Sequence, residues 1–503
     1  MTAFFNFVYR YRLWVLGLLA ALAAANVAWV AGTYLVYPGY LDHGEPSVAL
    51  ISWRILNGLP AYPPIDGPDL TSNIYGPIIY LAHVIGYLLA GPGIFGSKIA
   101  GVAAITAIPV IVFFTQRRHG LGWASAAVIL AAGYILLGLP MSVWIRPDPY
   151  IAFLVAVAVW AMNASKDDRP EWGKSLLIGL VAGLAAGLKM HAGIYFIPVV
   201  LFHCWERGFK PFFLISAIGA FVLAAPFASE LFSFANVMAW VSVAVAKKTE
   251  FLLAGKVLRY LLFFLAAVLF FIAAFRWSGH SLKKAETIYF GTFLMAISIV
   301  LVPAMKPGAG WYYYFPFLAI STDMIVRYAT LVTRNRTVIL MGVGVLAAAL
   351  VVISVPIQKR YFRALHWEEA SRVTAEINQI MAAYPGMKMQ MGAGDSLVGY
   401  NQTRYKPLLA FAGHPYTLDV GLAIEASARD IPISKGVRAR IKECHTQIWL
   451  IPADESPFAL KGYYGNPVFD NSFKNDFHRR FEKRKSFTYF DIWVCRGLDI
   501  PGD

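Results

Sequence analysis

The sequence predicts a polytopic α-helical membrane protein with a large first outer loop and a small carboxy-terminal α/β domain. Three observations carry this. Of the 503 residues, 58% are apolar and 15% charged, with a mean hydropathy of +0.56, whereas a soluble domain averages about 25% charged residues. The apolar residues gather in charge-bounded runs near the roughly 17–25 residues needed to cross a ~30 Å hydrocarbon core. The net charge of +15 lies mostly in the loops between those runs and in a mixed-charge carboxy-terminal region, so it records topology and implies no nucleic-acid partner. Three cysteines are too few for a disulfide scaffold, and the apolar content is too high for a disordered chain.

Eleven spans are expected, at about 13–36, 98–115, 121–140, 149–163, 175–194, 192–205, 211–227, 257–275, 286–303, 311–329 and 337–356. The first contains Ala23-Ala24-Ala25, which resembles a signal-peptidase site. The apolar run continues to about Val36, too long for a cleaved segment, so it reads as a signal anchor. Residues 75–96 are apolar but broken by Gly and Pro at both ends. Crossing there would invert every later loop, so they read as a juxtamembrane or re-entrant helix at the outer face.

Loop charges set the orientation. With the amino terminus inside, fifteen basic residues (Arg10, Arg12, Arg117, Arg118, Lys166, Arg169, Lys174, Arg207, Lys210, Arg276, Lys283, Lys284, Arg327, Arg334 and Arg336) fall at cytoplasmic ends. Eight (Arg54, Lys98, Arg146, Lys247, Lys248, Lys256, Arg259 and Lys306) fall on the other face. That asymmetry predicts a multi-pass protein with its amino terminus in the cytoplasm and everything after about 357 outside.

Residues 1–357 form the membrane domain on this reading, with an outer loop over about 38–97, and 358–503 form an extracytoplasmic domain. The latter holds twenty of the 44 basic and sixteen of the 29 acidic residues, a composition suited to water. Residues 366–386 read as an amphipathic helix closed by Pro-Gly, and 387–394, 446–452 and 487–495 contain strands. Cys444 and Cys495 both lie there, and a disulfide and two buried thiols are both open. Gly392-Ala393-Gly394 lacks the third glycine of a nucleotide loop and reads as a turn.

The chemistry gathers on the outer face. Asp42-His43-Gly44-Glu45 follows the first span directly, and Arg146-Pro147-Asp148 follows the third. Acids from separate loops beside basic side chains make a polar pocket at the edge of a low-dielectric slab, where a carboxylate pKa rises toward the general-base range. Lys189 and His191, in GLKMHAG, fall roughly 22 Å along the fifth span counted from Lys174, where an ionisable side chain is a functional candidate; snorkelling is the alternative. Lys306 and Lys247-Lys248 share that face. Trp311 to Tyr314 read as an interfacial aromatic belt, with a sugar-stacking platform as the alternative.

These motifs carry a resemblance. Asp42-His43-Gly44-Glu45 (Asp-x-Gly-Glu) after a first span, then NGLPAYPPIDGPDLTSNIYGPIIYLA, resembles the first outer loop of the GT-C superfamily, multi-spanning glycosyltransferases that use polyprenyl-phosphate-linked sugars. RPDP and GLKMHAG are similar to a bacterial branch containing protein mannosyltransferases, lipid A aminoarabinose transferases and rhizobial lipopolysaccharide galacturonosyltransferases. The resemblance covers about residues 10–330. It implies a GT-C fold, a place in the bacterial inner (plasma) membrane, and transfer from a polyprenyl-phosphate donor to a glycolipid, glycan or protein acceptor; a single displacement would invert the anomeric carbon.

By the same resemblance Asp42 is the base, with Glu45 beside it and Asp148 as second acidic partner. Arg146, Lys189, His191, Lys306, His43 and Tyr75 would bind donor phosphate and substrate. The aminoarabinose branch commonly opens its juxtamembrane helix with Lys-Pro-Pro. This chain has Tyr75-Gly76-Pro77, which shifts the phosphate role toward Lys189, Arg146 or Lys306. No cofactor is required; a divalent cation bridging Asp42, Glu45 and Asp148 is a variant. A lipid-linked glycan flippase and a polymer ligase of the same architecture are the alternatives, although no internal repeat of the transporter kind is present.

Overall fold

A computed structural model describes residues 2–164, 171–245, 253–277, 284–306, 308–332, 336–462 and 464–498. The loop charges Lys166, Arg169, Lys247, Lys248, Lys283 and Arg334 lie outside the described residues. The chain opens with α1 (Thr2–Val36), followed by two short helices, α2 (Gly44–Leu56) and α3 (Pro77–Ala90). Pro77 opens α3 with a preset φ, and Gly91 (φ +79°) stops it. At 14 residues it measures about 21 Å, too short to cross a bilayer.

The bundle continues with α4 (Ile94–Gln116), α5 (Leu121–Leu137), α6 (Pro147–Asn163), α7 (Glu171–Leu188), α8 (Ile197–Arg207) and α9 (Lys210–Ala224). Then come α10 (Phe234–Val245), α11 (Ala254–Leu258), α12 (Leu265–Trp277), α13 (Lys284–Ala304), α14 (Leu318–Leu331) and α15 (Arg336–Ala364). Among the described residues seven helices are long and apolar enough to cross a membrane by length and composition. The centre is α5, buried along nearly its whole length between α1, α4 and α15. Its composition explains this: with no charged residue it needs no wet face, and Gly133 admits Leu350 so closely that an added Cβ would lie 2.8 Å from the leucine Cβ.

Two expected spans are broken where the site lies. The fifth, expected over 175–194, stops at Leu188. Lys189 is extended (φ −157°), and a 3-10 turn over Met190–Phe196 leads into α8. The hairpin of α7 and α8 is closed at its far end by Glu171–Arg207 (3.1 Å) and Ser175–His203 (3.0 Å). The tenth, expected over 311–329, begins with a 3-10 turn over Trp311–Phe317 containing Pro316. Local propensity underlies both breaks: Gly193 and Pro198, and Gly310 and Pro316, interrupt the α-helical ladder.

At the bundle end away from the site, Asp323 is buried and accepts from Gln116 (2.8 Å), Asn163 (2.9 Å) and Arg327 (3.3 Å), while Arg327 also pairs with Glu286 (3.1 Å). This network ties α4, α6, α13 and α14 together. Arg327, counted above as a topological loop charge, is part of a buried network.

Beyond α15 the chain forms α16 (Trp367–Ala383), α17 (Leu397–Gln402), α18 (Lys406–Phe411), α19 (Val420–Ser427), α20 (Lys435–Lys442) and α21 (Asn471–Arg480). They surround a sheet of β1 (Met389–Met391), β2 (Ile448–Pro452), β3 (Phe481–Ser486) and β4 (Phe490–Cys495), in order β1-β2-β4-β3. β1 and β2 are parallel, the other pairs antiparallel. β3 was not foreseen, because only Phe481 of FEKRKS is buried and the strand lies at a charged edge. Cys444 and Cys495 form a disulfide with a Cα–Cα separation of 6.1 Å, which decides between the two alternatives. Reduction or Cys444→Ser is expected to lower stability by about 2–4 kcal/mol, read as a drop in unfolding temperature.

The outer loop and the carboxy-terminal region make one body. Leu70 bridges Leu418 in parallel, through Leu70 N–H to Thr417 O (2.8 Å) and Asp419 N–H to Leu70 O (2.7 Å). Asp69 pairs with both Arg54 (3.3 Å) and Arg440 (2.8 Å). α15 runs unbroken past residue 357 to Ala364.

Candidate functional site

A cavity of about 430 Å³ opens where the first outer loop meets the beginning of α6, the end of α7, the turn before Trp311 and α19. Its walls are built by the first loop upward. Lys98, buried near the start of α4, donates to the carbonyls of Tyr34 (3.0 Å), Tyr37 (2.7 Å) and Gly39 (2.7 Å), and so caps the end of α1. Glu45, fully buried, accepts the N–H groups of Leu41 (2.7 Å), Asp42 (2.8 Å) and Ile145 (2.9 Å) and the hydroxyl of Tyr34. Glu45 thus ties the 41–45 turn to the segment before α6, and it stands in the wall behind the cavity.

Asp42 is held in place by this frame. Its Oδ1 accepts from Gly44 N–H (2.9 Å) and from Arg146 Nη1 (3.0 Å), and its Oδ2 lies 3.4 Å from His43 Nδ1. Burial pushes the Asp42 carboxyl up, but the Arg146 guanidinium, then His43 and the Gly44 N–H, outweigh it and hold the pKa down to about 2. The raised carboxylate pKa expected here is therefore reversed at Asp42, because the cation is in direct contact. His43 lines the cavity with its side chain 41% exposed. Burial lowers its pKa, and Arg146 and Arg404 lower it further against the opposing charges of Asp42 and Glu425.

Arg146 also lines the cavity, its guanidinium 4.1 Å over the Trp144 ring and its Nη2 donating to the Tyr312 hydroxyl (2.8 Å). Its Nε is buried and has no hydrogen-bond partner among the described residues. Asp148, buried in the first turn of α6 where helix dipole favours an anion, pairs with Lys189 at 3.2 Å. Lys189 Nζ sits 3.8 Å over the Tyr313 ring, on which His191 stacks at 4.8 Å. Lys189, His191 and Lys306 all line the cavity, as does Tyr75, whose ring is 5.9 Å from the Arg146 guanidinium. The sequence-predicted residues therefore converge, with the cations in front and Asp42 and Asp148 paired behind them.

The Tyr75 turn depends on a close approach. Gly76 N–H donates to Leu188 O (3.0 Å), and a Cβ on Gly76 would lie 2.2 Å from the Gly187 carbonyl oxygen. Gly76→Ala is expected to push α3 off α7 and cost about 1–3 kcal/mol, measured by thermal unfolding.

The aromatic run Trp311 to Tyr314 is not one belt. Trp311 stacks on Tyr260 (4.1 Å), while Tyr312 and Tyr313 turn to Arg146 and Lys189 and Tyr314 is buried. The 3-10 turn causes this by spreading successive side chains around the axis. Sequence reasoning also missed Trp144, Lys98 and the opposite wall. There Asp419 caps α19 through Leu422 N–H (3.0 Å) and accepts from Lys406 (2.7 Å), Ser47 (2.6 Å) and Tyr416, and Glu425 lines the cavity beside it. Burial would raise the Asp419 carboxyl, but Lys406 holds it below the usual range.

Asp42, Glu45 and Asp148 do not form a metal cage. Each is engaged by its own partners, and among the described residues no group of three or more His, Cys, Asp or Glu is placed to hold an ion. The donor set does not fit the bridging divalent cation.

No family model matches the sequence, and no curated protein matches it. Solved structures do match the fold. ArnT from Cupriavidus metallidurans bound to undecaprenyl phosphate has a TM-score of 0.56 at 12% identity, covering 96% of this chain and 98% of that one. Its apo form gives 0.56 at 13% identity, covering 96% and 97%. The Archaeoglobus fulgidus oligosaccharyltransferase in the apo form gives 0.52 at 12% identity, covering 96% and 75%. The chain has the fold these proteins share, the GT-C fold that the first-loop motif predicts.

Proposed function

We propose that this protein is a glycosyltransferase. It moves a sugar from a polyprenyl-phosphate-linked donor to an envelope glycan, lipid or protein acceptor at the extracytoplasmic face. Its body is read as eleven spans with the amino terminus in the cytoplasm and the carboxy-terminal α/β region outside. The observation that carries the proposal is the row of cavity-facing cations, Arg146, Lys189 and Lys306, at one end of an apolar bundle. A lipid phosphate leaving an anomeric carbon gathers negative charge, and preorganised cations in a poorly hydrated site stabilise that charge. The likeness to a protein crystallised with undecaprenyl phosphate supports the lipid donor. A flippase would need its charges near midplane along a path; here they collect at one end under a lid made by the first loop and α19.

The reaction is written as a single displacement. The acceptor hydroxyl loses its proton to the Asp42–His43 pair, its oxygen bonds to the anomeric carbon, and the carbon–oxygen bond to phosphate breaks with its electron pair leaving on the phosphate. The anomeric centre is inverted. The test is transfer by purified protein in proteoliposomes, offered polyprenyl-phosphate-linked mannose, aminoarabinose and galacturonic acid in turn. Glycosylated acceptor with release of polyprenyl phosphate is the expected result. Movement of intact donor across the bilayer without bond cleavage would overturn the proposal in favour of transport. Lys189→Met is expected to lower kcat by roughly 10²-fold, as for loss of one preorganised donor to a developing anion, measured in the same assay.

A further inference from the structure

Asp42 is poorly placed to take a proton itself. One carboxylate oxygen is filled by Arg146 and the Gly44 N–H, the other faces His43, and the side chain is absent from the cavity lining. His43 is in that lining. Its Nδ1 is turned to Asp42, which leaves Nε2 as the nitrogen to meet a bound acceptor. We infer that His43 is the catalytic residue that accepts the acceptor's proton, and that Asp42, anchored by Arg146, is a positioning residue that orients the imidazole and stabilises its charged form. This rests on the glycosyl-transfer reading and deepens it.

The proton goes from the acceptor hydroxyl to His43 Nε2. The freed oxygen pair bonds to the anomeric carbon while the bond from that carbon to the phosphate oxygen breaks, its electron pair leaving on the lipid phosphate. The carboxylate orients the imidazole and stabilises its charged form without itself taking the proton, as an acid does behind a catalytic histidine. Four charged groups bear on the ring: Asp42 from the first loop, Arg146 from the turn before α6, Arg404 from the turn after α17 and Glu425 from α19. Burial, with Arg146 and Arg404, outweighs Asp42 and Glu425 and keeps its pKa below the ordinary 6.5; the uncharged Tyr400 ring of α17 also faces it at 5.8 Å, so the neutral imidazole prevails at neutral pH. The position just ahead of α2 acts in the same direction, since a helix amino terminus disfavours a cation.

Transfer from the polyprenyl-phosphate sugar that the wild type uses would be followed in wild type, His43→Gln, His43→Ala and Asp42→Asn. His43→Gln should lose roughly 10²–10⁴-fold in kcat with little change in donor KM, the range for loss of a general base. His43→Ala should regain turnover on addition of imidazole, which a merely structural role would not produce. Wild-type kcat should fall on an acid limb below pH 6.5, and in Asp42→Asn that limb should move further down because imidazolium loses its counter-charge. His43→Gln within about threefold of wild type, or a wild-type profile flat to about pH 4, would overturn the assignment and leave glycosyl transfer standing. A wild type that transfers no sugar from any donor overturns both.

Discussion

Arg146→Ala is expected to lower kcat by roughly 10³-fold or more, beyond the 10²–10³ seen for loss of a single preorganised donor. The excess follows from its geometry. One guanidinium serves Asp42 through Nη1 and Tyr312 through Nη2, and it lines the cavity as a fixed cation. Its removal takes a cation from the leaving phosphate and also frees Asp42, whose carboxyl then rises from about 2 toward or above its ordinary 3.8, since burial alone raises it. Arg146→Lys should recover little, because an ammonium cannot reproduce the planar fork that reaches Asp42 and Tyr312 together. Asp42 keeps 21% side-chain exposure, so water can hydrate it and the unfolding temperature should change much less than turnover. Steady-state kinetics on folded variants check this. A loss below about tenfold would remove Arg146 from transition-state stabilisation.

Glu45→Ala should have the largest effect on stability, about 3–5 kcal/mol, the cost of removing one partner from a buried charged arrangement. Three backbone N–H groups lose their acceptor, and Lys98, buried nearby and attracted to Glu45, loses that counter-charge. Because the 41–45 turn is then untied from Ile145, Asp42 and His43 should lose their register with Arg146, and activity should fall with stability. Thermal unfolding in detergent would register the change. A loss under about 1 kcal/mol would mean that the turn is held chiefly by packing.

The contrast between these two acids shows what could be read early. Asp42 and Glu45 are three residues apart in one motif, and the resemblance gives both to catalysis. Only the fold separates them: Glu45 meets a cluster of N–H donors contributed by its own turn and by Ile145, a hundred residues away. Lys98 counts as one more loop charge in the sequence, yet it is buried on three carbonyls because α1 ends beside the start of α4. The aromatic run was legible as aromatic, and its division between Tyr260 on one side and Arg146 and Lys189 on the other was not. Ser47 and Asp419, 372 residues apart, share a hydrogen bond in the cavity wall, and no local pattern announces such a pair.

Hydropathy and charge along the chain were enough to determine the helical bundle, the grouping of Asp42, Arg146, Asp148, Lys189 and Lys306 at one end, and the helix and strands that begin the carboxy-terminal region. These follow from transfer free energies, which act residue by residue and are written in composition and spacing. The partner of each charge was decided by tertiary structure alone: Asp42 with Arg146, Asp148 with Lys189, Glu45 with backbone, and the outer loop with α19. Such pairings depend on direction and on distances of a few ångströms between segments far apart in the chain. The electrostatic energy that sets a pKa or anchors a phosphate varies over that same short range.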